Sequence, residues 1–330
     1  MVSLSSIRSS NSLISSILSP GLVAVFVGGT SGIGEETLKK FAEHTIRPRA
    51  YIVGRSQTAA DRIVAECQAI NPEGQYIFHK ADVSLIRGVD EICEEIKARE
   101  QAVNILFLTC GVLDLNRSKT ADDLHLLAAL NYYARIRFIT NLLPLIQRAS
   151  ALRRVVTVGG GGHESGLDTS DFQALRVSST PEQLRGHLTS LVTLGLEAVA
   201  QAAPDVSFIH DFPGSVRTKI VEGLPEEILR TLEWVPVEES GQRHLYLATS
   251  ARYPPANVED ACAGVPVGDE VEVMVGTTGM AGSGVYSVGV DCEAASPAVL
   301  EILRNMRERG LVQEVRLHTE GEFRRITGKE

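Results

Sequence analysis

The sequence predicts a doubly wound α/β fold, a parallel sheet with helices on both faces. Two observations carry this. Short β-branched apolar runs such as Leu22–Val27 and Val103–Leu108 contain nothing polar in alternation, as strands buried on both faces do. Amphipathic helical stretches separate these runs, and strands alternating with helices imply parallel pairing.

Residues 1–20 form a leader, Ser-rich and acid-free with Arg8 its only charge. A mitochondrial presequence would carry more arginine, so the expectation is a helix packed on the body. Strand Leu22–Val27 leads into helix Glu35–His44, and strand Ala50–Val53 into helix Thr58–Ala69. Gln75–Phe78, Val103–Leu108, Val155–Val158 and Val206–His210 are further strands. Between them lie helices Val89–Glu100, Asp122–Ile146 and Pro181–Ala203, the last with proline in its first turn. Residues 222–252 read as helical and 253–283 as irregular. Val285–Val290 is a returning strand, then helix Pro297–Arg309 and a tail follow.

Length alone, at ~150 residues per domain, suggests about two domains for 330 residues. The returning strand instead makes 21–290 one nucleotide-binding domain with a substrate lobe at 215–284, and 291–330 a C-terminal helix and tail. With 32 basic against 41 acidic side chains and a net charge of −9, neither nucleic acid nor a membrane surface is an expected partner. No apolar run approaches the ~18 residues of a membrane span. Cys67, Cys93, Cys110, Cys262 and Cys292 are scattered, the usage of a reduced cytoplasmic protein. The histidines show no zinc-like spacing, and no metal site is expected.

The most specific signal is Gly28-Gly29-Thr30-Ser31-Gly32-Ile33-Gly34 between a strand and a helix. Such glycines turn tightly off the strand, admit a pyrophosphate and pack the helix close, while the helix N-terminus offers N–H donors to phosphate. This is the dinucleotide-binding turn of a Rossmann-type sheet. An acidic residue ending the second strand would bond the 2′-hydroxyl of NAD. Here Arg55 stands in Val53-Gly54-Arg55-Ser56, a donor fork suited to a 2′-phosphate, and Ser31 adds a hydroxyl. NADP(H) is therefore the expected cofactor. Asp82-Val83, after the third strand, sits where the adenine amino group can be bonded.

Together with Pro213-Gly214-Ser-Val216-Arg-Thr218, these motifs resemble the short-chain dehydrogenase/reductase family over residues 20 to 250, in the right order. The flavour is that of atypical members from fungal biosynthetic gene clusters. The resemblance implies that Pro213, Gly214, Val216 and Thr218 close over the nicotinamide. It also places Gly111 in the segment usually reading Asn-Ala-Gly, and Asn131 at the active-site asparagine. It further implies a dimer or tetramer through the helices at 122–146 and 181–203.

The family's tyrosine, lysine and serine are missing. No tyrosine lies between Tyr133 and Tyr246, Lys219 is the only lysine between 120 and 328, and the serine position reads Gly159 to Gly162. A phenol of pKa ~10 is a poor base without a cationic neighbour. His163 and His187 are the titratable substitutes, since a histidine moves protons at neutral pH unaided. Three functions follow: an atypical NADP(H)-dependent oxidoreductase acting on a mostly apolar metabolite of a natural-product pathway; a cofactor-binding but non-redox cyclase, isomerase or dehydratase; and a catalytically inactive binding protein.

Overall fold

The computed structural model describes residues 2–114, 116–176, 180–222, 224–257, 264–268 and 271–328; Cys262 lies outside them. The strands are β1 (Val23–Val27), β2 (Arg49–Gly54), β3 (Gln75–Lys80), β4 (Ile105–Leu108), β5 (Arg154–Val158), β6 (Ser207–Asp211), the two-residue β7 (Ser215–Val216) and β8 (Trp234–Val235), and β9 (Val285–Val288). Among the described residues, seven of these join one sheet in the order β3-β2-β1-β4-β5-β6-β9. Every pairing in it is parallel. The final strand does return to the same sheet.

The helices are α1 (Leu4–Ser12), α2 (Ile14–Ile17), α3 (Gly32–His44), α4 (Gln57–Ile70), α5 (Ile86–Arg99), α6 (Leu126–Ala128), α7 (Ala134–Gln147), α8 (Pro181–Ala200), α9 (Glu226–Thr231), α10 (Val237–Thr249), α11 (Pro297–Glu308) and α12 (Leu311–Thr327). Strand side chains alternate between two apolar layers, as the period of two requires. Val23, Val25 and Val27 join the layer under α5, α7, α8 and α12, while Ala24 and Phe26 join the one under α3, α4 and α10. The leader packs on this second face, where Asn11 donates from Nδ2 to Gln242 Oε1 at 2.7 Å.

Three stretches differ from the sequence reading. The helix expected from Asp122 begins at Leu126, because the Asp122 carboxylate turns away to accept from the Ile86 N–H at 2.7 Å. It then passes through a π-helical turn, Ala129–Tyr133, before α7. The region 222–252 is broken at Pro236 into α9 and α10, with β8 between them. The tail is a helix: Gly310, at φ 76°, reverses the chain so that α12 folds back. Leu311, Val315 and Phe323 of α12 bury against the α5–α8 face. Tyr132 Oη meets Thr319 Oγ1 at 2.5 Å and Tyr133 Oη meets His318 Nε2 at 2.7 Å.

Thirteen consecutive residues of α8, Gly186 to Ala198, are buried, so the helix is covered on both sides. Helix α12 of the same chain packs against α8 and, through Tyr132 and Tyr133, against the π-helical turn before α7.

Candidate active site

In a parallel sheet, ligands bind beyond the carboxyl ends of the strands, where the winding reverses. Here the reversal lies between β1 and β4. The glycine turn follows β1, Arg55 follows β2, Asp82 follows β3, Gly111 follows β4, Gly159–Gly162 follow β5 and Pro213 follows β6. The sequence motifs thus converge on one edge.

The turn is tight because its glycines lie against backbone and the Thr109 hydroxyl. A Cβ on Gly34 would lie 2.5 Å from the Gly28 carbonyl oxygen, and one on Gly28 would lie 2.6 Å from Thr109 Oγ1. Helix α3 therefore starts close against β4. Its N-cap Ser31 makes no side-chain cap bond, which leaves first-turn N–H groups of Gly32, Ile33 and Gly34 open to an anion. Thr30 packs against Gly54 at the end of β2. Val216 is buried in β7, and Thr218 Cγ2 lies 2.9 Å from where a Gly32 Cβ would be, so the Pro213–Thr218 segment reaches back over the turn. Gly214, at φ 73°, makes that path possible against Val290 and Val235.

Arg55 is exposed and has no hydrogen-bond or ionic partner among the described residues. Asp82 is exposed too, with Oδ1 accepting from the Ser84 N–H at 3.0 Å, and Val83 is buried beside it. These residues line one edge of the sheet: the uncapped N–H donors of α3 in the middle, Arg55 and Asp82 toward one end, Gly111 and Pro213 toward the other.

The catalytic candidates fare differently. Asn131, in the π-helical turn, faces Gly111, but both ends of its amide are engaged. Nδ2 donates to the Leu127 carbonyl at 2.9 Å and Oδ1 accepts from Arg135 Nη2 at 3.4 Å. His187 is 1% exposed and its ring is held by backbone. The Asp168 N–H donates to Nδ1, which leaves Nε2–H to donate to the Phe172 carbonyl. Burial pushes its pKa down, and the structure places it as an anchor for the 165–172 loop rather than at the cofactor edge. His163 is at that edge. Its ring stands edge-on to Phe212, 4.5 Å between centroids, directly before Pro213. Arg185 Nη2 donates to its Nδ1 at 2.8 Å, so the neutral ring carries its proton on Nε2. Burial, then the Arg185 charge, hold its pKa below the ordinary 6.5.

A profile of the short chain dehydrogenase family matches residues 22–166. Oxidoreductase andH of Emericella variicolor is 36% identical over 336 residues, 99% of this chain and 98% of that protein. The chain belongs to the short-chain dehydrogenase/reductase family. Oxidoreductase AN1596 of Emericella nidulans is 38% identical over 97% of both chains. Among solved structures, a short-chain dehydrogenase from Sphingobium yanoikuyae in complex with NADPH superposes with TM-score 0.53 at 18% identity, covering 68% of this chain and 83% of that one. The Pseudomonas aeruginosa RhlG/NADP active-site complex does so with TM-score 0.53 at 18% identity, over 76% and 96%. At such identity these two share the fold.

Within this family the chain's departures have a physical form. All seven tyrosines are buried, and Tyr132 and Tyr133 are bonded to α12. Tyr76 and Lys80, spaced like the family's pair, lie on the edge strand β3. The glycine run leaves no room for a serine: a Cβ at Gly159 would lie 2.8 Å from His210 Nε2, and one at Gly160 would overlap Thr189 Oγ1.

The sequence reading missed three groups here. Arg135, 3% exposed, donates to the carbonyls of Cys110 (2.6 Å) and Val158 (2.5 Å) and to Thr157 Oγ1 (2.6 Å). His210 accepts the Gly160 N–H and donates from Nδ1 to Thr193, which donates to the buried Glu164 at 2.7 Å. Thr189 faces Gly160 from α8. For Arg135 and Thr189 the signal was polar residues at helical spacing in otherwise apolar helices, Asn131 with Arg135 and Thr189 with Thr193; His210, on β6, carries no such signal. No helix among the described residues is long and apolar enough to cross a membrane.

Proposed function

We propose that the protein is an NADP(H)-dependent oxidoreductase interconverting a carbonyl and an alcohol on a small, mostly apolar metabolite. One observation carries this reading: the closed cradle in which Thr218 packs over Gly32 while the uncapped start of α3 faces it. Arg55, free of partners among the described residues, supports a 2′-phosphate over a 2′-hydroxyl. Leu113 and Ile220 are 44% and 46% exposed, and Ile220 Cδ1 lies 3.7 Å from where a Gly111 Cβ would be, an apolar mouth beside the nicotinamide end.

When bound, the reduced cofactor supplies a hydride to a carbonyl carbon. The protein's residues must then position the carbonyl and bring a proton to its oxygen. His163 is the titratable side chain at that edge, and its imidazolium is the acid. Because its pKa lies below 6.5, the protonated fraction grows as the solution is acidified.

A non-redox reading is favoured by one observation, the burial of every tyrosine. Deuterium separates the two. With NADPH deuterated on the transferred face at C4 and apolar ketones as substrates, the alcohol formed carries deuterium at the carbinol carbon. Metabolite conversion without deuterium, or with cofactor unconsumed, rejects the redox reading.

A further inference from the structure

We propose that Thr189 is the substrate-orienting hydroxyl of this site, donating a hydrogen bond to the reacting carbonyl oxygen from helix α8. The inference rests on the carbonyl-reduction reading above. Behind the ends of β4, β5, β6 and β9, five hydroxyls are already engaged. Thr109 donates to the Val27 carbonyl, and Thr157 accepts from Arg135. Ser190 donates to the Ser165 carbonyl, while Thr193 and Ser287 donate to Glu164. Thr189 is 4% exposed, yet its hydroxyl has no partner among the described residues. The residue is nearly buried but Oγ1 itself is not wholly enclosed, so the hydroxyl is free to donate to an acceptor that arrives from outside the chain.

Its position says which acceptor. Thr189 Oγ1 occupies the space that a side chain on Gly160 would need, immediately beyond β5 at the cofactor edge. Gly160 is fixed there by donating its N–H to His210 Nε2 at 3.1 Å. The hydroxyl thus sits where the glycine run supplies none, and it comes from the facing helix instead of the loop. The buried guanidinium of Arg135 lies behind the same spot, with Nη1 3.6 Å from where a Gly159 Cβ would be. Its hydrogen-bond partners among the described residues are all neutral oxygens, with no carboxylate among them. Its field favours negative charge growing on an oxygen held at Thr189.

The test uses full-length wild type, Thr189→Val and Thr189→Ser, with 2-decanone carrying carbon-13 at the carbonyl as the probe. In the wild-type complex with NADP+ the carbonyl resonance moves downfield on binding. The shift is lost in Thr189→Val and returns in Thr189→Ser. Reduction of the same ketone by NADPH falls about 100-fold in kcat/KM in Thr189→Val, the cost of removing one oxyanion donor, with recovery in Thr189→Ser. NADPH affinity and melting temperature do not fall in Thr189→Val, since the lost hydroxyl had no partner; a merely structural threonine would lower the latter. Wild type that binds NADPH but leaves the carbonyl resonance unmoved, or Thr189→Val that matches wild type, overturns the proposal and leaves the cofactor reading standing. Wild type that fails to bind NADPH overturns both.

Discussion

Arg135 fixes Asn131: its Nη2 lies 3.4 Å from Asn131 Oδ1, one helical turn away, while the same guanidinium ties the carbonyl of Cys110 after β4 to that of Val158 ending β5. All five N–H donors are used, counting Nε to the Leu130 carbonyl at 3.2 Å. Replacing Arg135 by Met leaves several buried acceptors without donors, and stability in urea should fall by about 3 kcal/mol or more. Lysine should not rescue it, because a compact ammonium cannot span both strand ends as the planar fork does. An Arg135→Met protein as stable as wild type would show that the cross-tie is dispensable.

Arg55→Asp places a negative charge where the 2′-phosphate is expected. Affinity for NADPH should drop about ten- to a hundred-fold, the worth of one or two charge-assisted hydrogen bonds, and NADH should gain relative to it. Competitive titrations of the two cofactors decide this. An unchanged preference removes Arg55 from the site.

For His163 the protonated ring is the active form in reduction, so kcat/KM should rise as pH falls from about 8 to 5 and level off below its lowered pKa. Arg185→Ala removes a cation from Nδ1 and should move that inflection upward. His163→Gln should flatten the profile. A profile identical in wild type and His163→Gln would point to a different acid.

His210 titrates in the opposite sense for stability. Burial first, then Arg135, push its pKa down to about 3, so the folded state resists protonation. A depressed histidine contributes stability fully above its unfolded value near 6.5 and loses it as pH falls toward the folded value. Between pH 7 and 5 this amounts to about 2 kcal/mol. Glu164, raised by burial, runs the other way: the native state gains from its protonation at low pH and loses that gain as pH climbs through the raised value. In His210→Gln, whose amide can still donate to Thr193 and accept from Gly160, the drop in urea stability from pH 7 to 5 should shrink. An unchanged drop would place the acid sensitivity in His187, His318 or His44, whose pKa values burial also lowers.

Because α12 packs on α8 and on the π-helical turn before α7, sedimentation should give the mass of one chain. Deleting residues 310–330 should uncover Tyr132, Tyr133 and the outer face of α8, producing dimers or aggregates. A wild-type dimer would show that another surface pairs.

The strands and the glycine turn were legible because their signals are local: a pure apolar run such as Val23–Val27, and a loop whose steric need for glycine is met within seven residues. Arg55 and Pro213 were legible for the same reason, each standing next to a strand end. The proton-transfer groups were not. Thr189 meets Gly160 only because α8 packs across the β5 loop, and His187 looked like His163 until packing gave its nitrogens to backbone. Likewise, the residues after Arg309 read only as a tail, since nothing local said that Gly310 would fold them back over α8.

Enclosure of NADP(H) by the β1–α3 turn and the Pro213–Thr218 segment has a built-in reporter. Trp234, the single tryptophan, lies in β8 paired to β7, with the Arg217 guanidinium 4.6 Å above its ring. Titrating NADPH into the full-length protein should quench Trp234 emission saturably, sensitise cofactor fluorescence and raise the melting temperature, with NADH weaker in each. Emission and melting temperature both unmoved at saturating NADPH would contradict the account.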